Sequence, residues 1–293
     1  MSHQKNHAIR KIEISSGVGT TRAGTAGCSG STDGTGTSAR FYYPTGVITD
    51  GTNLYVADLL NSKIRKIVIS TGVVTTLAEG GGLYRPNSIT SDGTNLYVTE
   101  SQKHRISKIV ISTGVVTIFA GSSSSGNSNG TGTAASFRNP NGITTDGTYL
   151  YVADWSNHRI RKIVISTRVV TTLVGDASPG YRDGTWVMFR QPSGIISTGN
   201  NLYVTEGCGG NQAYCDYEYY GTSTWFSNHT IRKIHNVSTK TIYHSWNSIT
   251  GIENTSYTHS GLNNGTTFYY KIGSVNTSGA GSPSNEVNAQ TSQ

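Results

Sequence analysis

A block of about forty to fifty residues recurs along this chain, and this period limits the possible folds more than any other feature. The copies follow the pattern P-x-G-I-x-x-D-G-T-x-L-Y-V-A-D, then N-x-x-I-R-K-I-V-I-S-T-G-V-V-T-T-L. They start at Pro44, Pro86, Pro140 and Pro192. A period in this range is typical of repeat architectures, in which each copy packs against its neighbours. Residues present in every copy are therefore interpreted first as parts of that packing.

The residue pattern within one copy predicts four short antiparallel strands. In the third copy an Asp-Gly-Thr turn begins at Asp146 between apolar runs, and a second tight turn follows at Thr167. Four-stranded repeats of this length are the unit of a β-propeller, whose blades bury their faces against each other around an axis. The sequence therefore predicts an all-β propeller of four full blades, with a partial blade at residues 6–24.

The connections between the predicted strands differ in length. If strands a to d run outward from the axis, the a–b and c–d turns leave one face and the b–c and d–a loops leave the other. The length variation falls on that second face, in the d–a loops at 25–43, 81–85, 122–139 and 176–191 and in a b–c insert at 207–227. Variable loops on a rigid scaffold commonly carry binding sites, so we expect a ligand to bind there.

The charge of the chain is modest and regularly placed. The formal net charge is +7, and much of it comes from Arg-Lys pairs in the third predicted strand. We favour a solvated outer strand, in which basic residues discourage edge pairing. The alternative is a surface for nucleic acid or an anionic polysaccharide, although no aromatic residues are interleaved with these pairs. The pairs begin at Arg10, Arg65, Arg161 and Arg232, and the second copy has Arg105 and Lys108 instead.

Apolar runs and cysteines bear on the compartment. No apolar run is long enough to cross a bilayer, so no membrane span is predicted. Residues 1–14 lack the apolar core of a signal peptide, which taken literally implies a cytoplasmic protein. An oxidising compartment would allow a local disulfide between Cys208 and Cys215, with Cys28 left over.

Ionisable residues recur at equivalent positions rather than forming one distinct cluster. A cation site at the axis is one interpretation of the carboxylates, but we favour hydrogen bonds within each blade, since buried charges need local partners. We likewise interpret the histidines as structural, and no motif for a catalytic serine, a zinc protease or a phosphate loop occurs. The sequence thus predicts no catalytic residues, no metal site and no cofactor. The carboxylates are Asp58, Glu100, Asp154 and Glu206, and the histidines are His7, His104, His158 and His229.

The insert at 207–227 is rich in aromatic residues and has no counterpart in the other copies. Aromatic clusters on an exposed loop suit protein or carbohydrate contacts, because rings give large apolar area at little entropic cost. A loop that packs on itself, closed by Cys208 and Cys215, is an alternative that stays open. We expect tryptophans of neighbouring loops on the same face. The candidate binding residues are Tyr214, Tyr217, Tyr219, Tyr220, Trp225, Trp155 and Trp186.

The repeats resemble the NHL family of β-propellers. The likeness lies in the P-x-G-I-x-x-D start, the L-Y-V-A-D strand and the N-x-x-I-R-K-I segment at 157–163, and it covers about residues 6–243. Two d–a loops also resemble a bacterial and plant variant, with D-G-T-G at Asp33 and N-G-T-G at Asn129, whereas the loop at Asp183 keeps only D-G-T and the later Phe. The resemblance implies a truncated bacterial propeller and a leader peptide upstream in a longer parent.

The C-terminal segment resembles the second half of a fibronectin type III domain. Y-x-x-x-G-L starts at Tyr257, and G-T-T-F-Y-Y starts at Gly265. We therefore expect a propeller over residues 1–243 and a fibronectin-like segment over 244–293. Alternatively, residues 247–258 complete the N-terminal blade and close a five-bladed ring.

These features favour a non-catalytic scaffold, extracellular or at the cell surface, which recognises a protein or carbohydrate partner through its variable loops. The resemblance leaves two alternatives. One is an enzyme similar to a lyase or lactonase, with a metal in the central channel. The other is an RNA-binding NHL surface that uses Arg65, Arg105, Arg161 and Arg232.

Overall fold

Four antiparallel sheets follow one another along the chain as the blades of a β-propeller, after a smaller N-terminal sheet. The computed structural model describes residues 2–180, 182–183, 187–206 and 231–234, and four short strands between 267 and 290. Contacts between Cα atoms divide the chain into two units, Met1–Tyr243 and His244–Gln293.

The first unit is built almost entirely of strands, as the repeat pattern predicts. In chain order they are β1 (Ser2–His3), β2 (Ala8–Ile12), β3 (Gly19–Ala23), β4 (Gly34–Thr35), β5 (Pro44–Thr49), β6 (Asn53–Asp58), β7 (Lys63–Val68), β8 (Val73–Glu79), β9 (Ile89–Ser91), β10 (Asn95–Glu100), β11 (Arg105–Val110), β12 (Val116–Ala120), β13 (Gly130–Thr131), β14 (Pro140–Thr145), β15 (Tyr149–Asp154), β16 (Arg159–Val164), β17 (Val169–Val174), β18 (Pro192–Thr198), β19 (Asn201–Glu206) and β20 (Ile231–Ile234). Single 3-10 turns lie at Gln4–Asn6, Gly36–Ser38, Leu59–Asn61, Ser101–Lys103, Gly132–Ala134 and Trp155–Asn157.

Each blade is a meander whose first strand lies innermost. Blades 1, 2 and 3 run β5 to β8, β9 to β12 and β14 to β17, and the described part of blade 4 is β18 to β20. The first strands of consecutive blades contact each other, β5 with β9, β9 with β14 and β14 with β18. The predicted order of strands a to d from the axis outward is therefore confirmed.

The apolar core lies between blades rather than inside one sheet. Leu150 and Val152 of β15 pack with Phe119 of blade 2. Tyr151 and Ala153, which point to the other side of the same strand, pack with blade 4. Because both faces of a blade are covered, the L-Y-V-A strand is an unbroken buried run instead of an alternating one.

The N-terminal sheet is larger than the sequence indicates. Strands c and d were expected there, and β2 and β3 fill these positions. In addition β1 pairs with β2, His3 opposite Ala8, as strand b pairs with strand c in the blades. The prediction that strand b is missing is therefore wrong. A pairing of two residues is carried by backbone hydrogen bonds and leaves no pattern in the sequence.

Two of the d–a loops contribute a strand that the sequence analysis missed. Gly34–Thr35 pairs with the outer strand β8, and Gly130–Thr131 pairs with the outer strand β17. The D-G-T-G and N-G-T-G segments thus cover the outer edge of the blade that follows them in the chain. Covered edges do not offer backbone groups to other chains.

The glycine of the P-x-G motif lets neighbouring inner strands approach each other. A methyl group on Gly142 would lie 2.3 Å from the Ser193 carbonyl oxygen, and one on Gly46 would lie 2.9 Å from that of Asn87. Blade 2 has Ser88 at this position, and its hydroxyl accepts a hydrogen bond of 3.3 Å from the Ile143 amide.

The second unit is described only as two antiparallel strand pairs. β21 (Thr267–Tyr270) pairs with β24 (Val287–Gln290), and β22 (Val275–Asn276) pairs with β23 (Gly279–Ala280). The resemblance to fibronectin type III stays a prediction. Residues 247–258, which would close a fifth blade, lie outside the described residues.

The close approach of the inner strands predicts an unequal response to alanine at equivalent glycines. Gly142→Ala should lower the free energy of unfolding by about 2–4 kcal/mol, because a backbone oxygen blocks the methyl group. Gly194→Ala is the matched control, since its methyl group would meet the Thr205 hydroxyl at 2.8 Å, and that side chain can rotate. Urea unfolding of both variants measures the difference, and equal losses would contradict this account of the blade interface.

Candidate functional site

The b–c and d–a loops lie together on one face, here called the loop face. Asn157 Nδ2 of the blade 3 b–c loop donates to the Gly126 carbonyl of the preceding d–a loop at 2.7 Å, and the Ser156 amide donates to the Arg138 carbonyl at 3.1 Å. On the opposite side, the turn face, the Ile165 amide at the end of strand c donates to Thr148 of the a–b turn at 3.1 Å. The predicted separation of turns from variable loops is confirmed for the described loops, and the insert at 207–227 lies outside the described residues.

The carboxylate that ends each strand b is bonded inside its own blade. In blade 3, Asp154 accepts hydrogen bonds from the Arg138 amide at 2.8 Å, from Asn157 Nδ2 at 2.8 Å and from Arg161 Nη1 at 3.0 Å. The side chains of Asp154 and Arg161 are both 0% exposed. Burial raises the pKa of Asp154, and these donors oppose it. The structural interpretation of the repeated carboxylates is confirmed.

The arginine of strand c ties this carboxylate to the d–a loop. Arg161 donates from Nη1 to the Ser136 carbonyl and from Nη2 to the Ser128 carbonyl, both at 2.9 Å, and to Asn129 Oδ1 at 3.0 Å. Its guanidinium lies 5.2 Å from the centre of the Phe137 ring. In blade 1, Arg65 makes the equivalent bonds to Asp58 and Asp33. In blade 4, Arg232 makes them to Glu206 and Asp183.

The prediction that these arginines are solvated is therefore wrong. Arg65 and Arg161 are fully buried, and Arg105 and Arg232 are 8% and 7% exposed. In blades 1 to 3, neighbouring blades cover both faces of strand c, so the side chains on neither face are fully exposed to solvent. The RNA-binding alternative loses the four residues on which it rested, because their guanidinium groups already bind carboxylates and loop carbonyls.

In blade 2, different residues bind the buried carboxylate that ends strand b. Ser107 stands where the other blades have the buried arginine, and Glu100 accepts hydrogen bonds from Ser107, from Arg105 and from the Tyr84 amide. The d–a loop before blade 2, at 81–85, is short. It has no Asp or Asn that could accept a hydrogen bond from the Nη2 atom of an arginine, as Asp33 and Asn129 do in blades 1 and 3. The buried arginine of strand c therefore occurs in the blades whose preceding d–a loop is long.

Three histidines and one serine join the b–c loops to the start of the next blade. The Nδ1 atoms of His7, His104 and His158 accept hydrogen bonds of 3.1 Å from the amides of Tyr43, Asn139 and Gln191. In blade 1, Ser62 replaces the histidine and accepts from the Arg85 amide at 3.1 Å. All residues of these four pairs have positive φ. The structural interpretation of these three histidines is confirmed, and His229 lies outside the described residues.

Aromatic and basic side chains are among those exposed on the loop face, and they recur at equivalent places in the blades. The residues whose amides bind the four carboxylates occupy equivalent places, and Tyr42 and Tyr84 are 42% and 37% exposed. Arg85 and Lys103 lie 5.6 and 5.1 Å from the centre of the Tyr84 ring. The four equivalent residues are Tyr42, Tyr84, Arg138 and Arg190. Sequence analysis missed them, although each lies two residues before the repeated proline.

The predicted binding residues are only partly described. Trp155 begins the b–c loop of blade 3 and is half-buried, with its indole N–H shielded and without a hydrogen-bond partner. Cys28 is exposed and free. The other predicted residues, Tyr214, Tyr217, Tyr219, Tyr220, Trp225 and Trp186, lie outside the described residues, as do Cys208 and Cys215.

The described part of the chain lacks two further features. It holds no group of three His, Cys, Asp or Glu side chains placed to bind a metal ion. Within the same residues, no helix has the length and apolar character that a membrane crossing needs.

Comparison with known proteins identifies the fold. No protein-family model and no curated protein matches the chain. Among solved structures, it is similar to an auxiliary nutrient binding protein from Bacteroides thetaiotaomicron, with a TM-score of 0.52 and 18% identity over 64% of this chain and 47% of that one. A protein of the same description from Bacteroides ovatus gives a TM-score of 0.50 and 18% identity over 69% and 62%. The chain thus spans about half to three fifths of these proteins.

A virginiamycin B lyase from Staphylococcus aureus is similar at a lower level, with a TM-score of 0.46 and 18% identity over 78% of this chain and 63% of that one. That likeness carries no argument about activity. At these identities the matches show the β-propeller fold alone, and the NHL assignment stays a prediction.

The hydrogen bond of His158 predicts a pH-dependent contribution to stability. Burial, with Arg190 and Arg138 nearby, lowers the pKa of His158 below its ordinary value. The folded state therefore binds this proton less readily than the unfolded state, so stability is lost as the pH falls from about 6.5 through the folded pKa. His158→Ser keeps an acceptor, as Ser62 shows in blade 1, but removes the titration.

We expect the wild type to exceed His158→Ser in unfolding free energy by more at pH 7.5 than at pH 5. Urea unfolding across this pH range measures the difference. A difference that stays constant with pH would show that His158 does not titrate in this contact.

Proposed function

We propose that this chain is a non-catalytic binding scaffold that recognises a protein or glycan through its loop face, outside the cell or at its surface. One observation carries the proposal. The carboxylate that ends each strand b, and the histidines His7, His104 and His158, hold loops and blades together, while aromatic and basic side chains are among those left exposed. The face is suited to contact rather than to proton transfer, which needs an accessible acid or base.

The loop anchors support a preorganised surface. Each blade fixes the start of its inner strand by a buried carboxylate and by the His or Ser acceptor of the preceding blade. Side chains at these places, such as Tyr42 and Tyr84, are presented on backbone that does not have to be ordered when a ligand binds. Preorganisation raises affinity because less conformational entropy is lost on binding.

The aromatic insert at 207–227 belongs to the proposed surface. It leaves strand β19, whose last residue Glu206 binds Arg232 as Asp154 binds Arg161. Its connection therefore starts and ends at the positions of an ordinary b–c loop. The residues proposed to contact the ligand are Tyr214, Tyr217, Tyr219, Tyr220 and Trp225, with Trp155 and Trp186.

The family resemblance and one comparison are consistent with this proposal. Two proteins of similar fold are described as auxiliary nutrient binding proteins. The enzyme alternative has no supporting observation among the described residues.

Deletion of residues 207–225 tests the proposal without disturbing the blade. It joins Glu206 to the sequence Phe226-Ser227-Asn228-His229, which matches Trp155-Ser156-Asn157-His158 after Asp154. We expect this variant to retain its thermal midpoint within a few degrees and to lose at least tenfold in affinity.

Binding is measured against a panel of soluble polysaccharides and a protein array, for the intact and shortened chains. The shortened chain with Trp155→Ala should lose more. Unchanged binding by a folded shortened chain would contradict the proposed role of the insert, and catalytic turnover of any bound polysaccharide would contradict the whole proposal.

A further inference from the structure

Each described a–b turn of blades 1 to 3 carries an aspartate on the turn face. Asp50, Asp92 and Asp146 lie in the a–b turns of the turn face, where each accepts hydrogen bonds from turn amides and from a tyrosine hydroxyl at 2.8 Å. Burial works against these bonds, but the bonds from Asn53, Tyr55 and Thr52 hold the pKa of Asp50 below its usual range. The turn face also carries basic residues, among them Lys162 near Asp146 and the exposed Arg168, so charges of both signs are present there.

The loop face carries a row of basic residues that follows the hydrogen bonds between blades. Arg85 is itself one of the donors, Lys103 precedes His104, and Arg159 follows His158. Arg138 and Arg190 precede the donors Asn139 and Gln191. Because these bonds join blade 1 to blade 2, blade 2 to blade 3 and blade 3 to blade 4, the five residues form a continuous series, here called the basic arc.

The charge of the basic arc is not neutralised by the repeated carboxylates. Among the described residues, Asp58, Glu100, Asp154 and Glu206 are all buried within their blades and bound to the arginine of strand c or, in blade 2, to Arg105. The insert contains Asp216 and Glu218 and no Lys or Arg. Even if both acids approach the arc, it keeps a net positive charge.

At the blade 3 end, the basic groups converge. Arg190 precedes Gln191, whose amide donates to His158 Nδ1 at 3.1 Å, and the Arg138 carbonyl accepts from the Ser156 amide at 3.1 Å, so both residues lie beside the b–c loop of blade 3. Arg159 is adjacent, and its Nε is shielded and without a hydrogen-bond partner. Three arginines of the basic arc therefore lie at this end, and an arginine side chain can donate two parallel hydrogen bonds to one anionic group.

We propose that the basic arc binds the carboxylates of an acidic polysaccharide, such as a chain of uronic acid residues. This inference rests on the proposed function and names the ligand class for it. Arginine matches a carboxylate with two parallel hydrogen bonds, and charges repeated along an arc match charges repeated along a chain.

A single-stranded nucleic acid would need unoccupied ring faces on which bases can stack. Arg85 and Lys103 both lie over the ring of Tyr84, which leaves less of that ring for a base. The contacts therefore favour a polyuronate, and a nucleic acid becomes an outcome of the test.

The test compares polygalacturonate with the same polymer after methyl esterification, which removes the charge and keeps the backbone. Poly(U) RNA and dextran sulfate serve as polyanions of other kinds. Binding to the full chain is measured by affinity electrophoresis and calorimetry at fixed and rising salt. The variant is Arg138→Gln with Arg190→Gln, and the control is Lys11→Gln with Arg168→Gln, which removes two exposed charges elsewhere.

We expect polygalacturonate to bind at least tenfold more tightly than its ester, the arc variant to lose about tenfold and the control to bind as the wild type does. Equal binding of the ester would overturn the inference, and so would equal loss in the control or tighter binding of poly(U) or dextran sulfate. Binding of a neutral polysaccharide that depends on residues 207–225 would overturn it while leaving the proposed function intact.

Discussion

The buried pair of carboxylate and arginine is the constraint on which the rest of this propeller depends. Removing two charges from water is costly, and only close geometry with further hydrogen bonds offsets that cost. Asp154 and Arg161 satisfy this condition with a bond to each other and with bonds to the b–c loop and the d–a loop. Breaking such a pair by losing one partner costs about 3–5 kcal/mol, so each blade holds its loops in one arrangement. Stability and the shape of the loop face therefore have the same origin.

Blade 2 shows how the constraint acts when one part is changed. Its d–a loop is short and supplies neither a fifth strand nor an acid or amide, and a serine replaces the buried arginine. An arginine at that position would have no loop oxygen for its Nη2 atom, which would add to the buried Nε that Arg65 and Arg161 already leave without a hydrogen-bond partner. Arg105, two residues earlier in the same strand, instead reaches Glu100 and the Gly82 carbonyl. The length of the d–a loop and the residue at the Arg161 position thus change together, because the loop supplies the arginine's hydrogen-bond acceptors.

The sequence predicted the blades, the strand order and the structural roles of the carboxylates and histidines, because these follow from the repeat itself. It failed on Arg161 and its equivalents, since exposed outer strands are the common place for Arg-Lys pairs. The alternation along strand c does indicate burial, because Arg161 lies on the same side of the strand as the buried Ile163. The pairing of Gly130–Thr131 with β17, and the bond from His158 to the next blade, join residues far apart in the chain and leave no local pattern. The exposed residues of the loop face were missed because they are defined by what surrounds them and not by a motif.

Amide hydrogen exchange at four loop positions tests the central claim most directly. The backbone amides of Tyr42, Tyr84, Arg138 and Arg190 lie outside the strands, yet each donates to a buried carboxylate at 2.7 to 3.0 Å. If the carboxylate clusters hold the loops, these amides should exchange only when the blade unfolds, with protection close to that of strands β6, β10, β15 and β19. Exchange at ordinary loop rates, while those strands stay protected, would contradict the account.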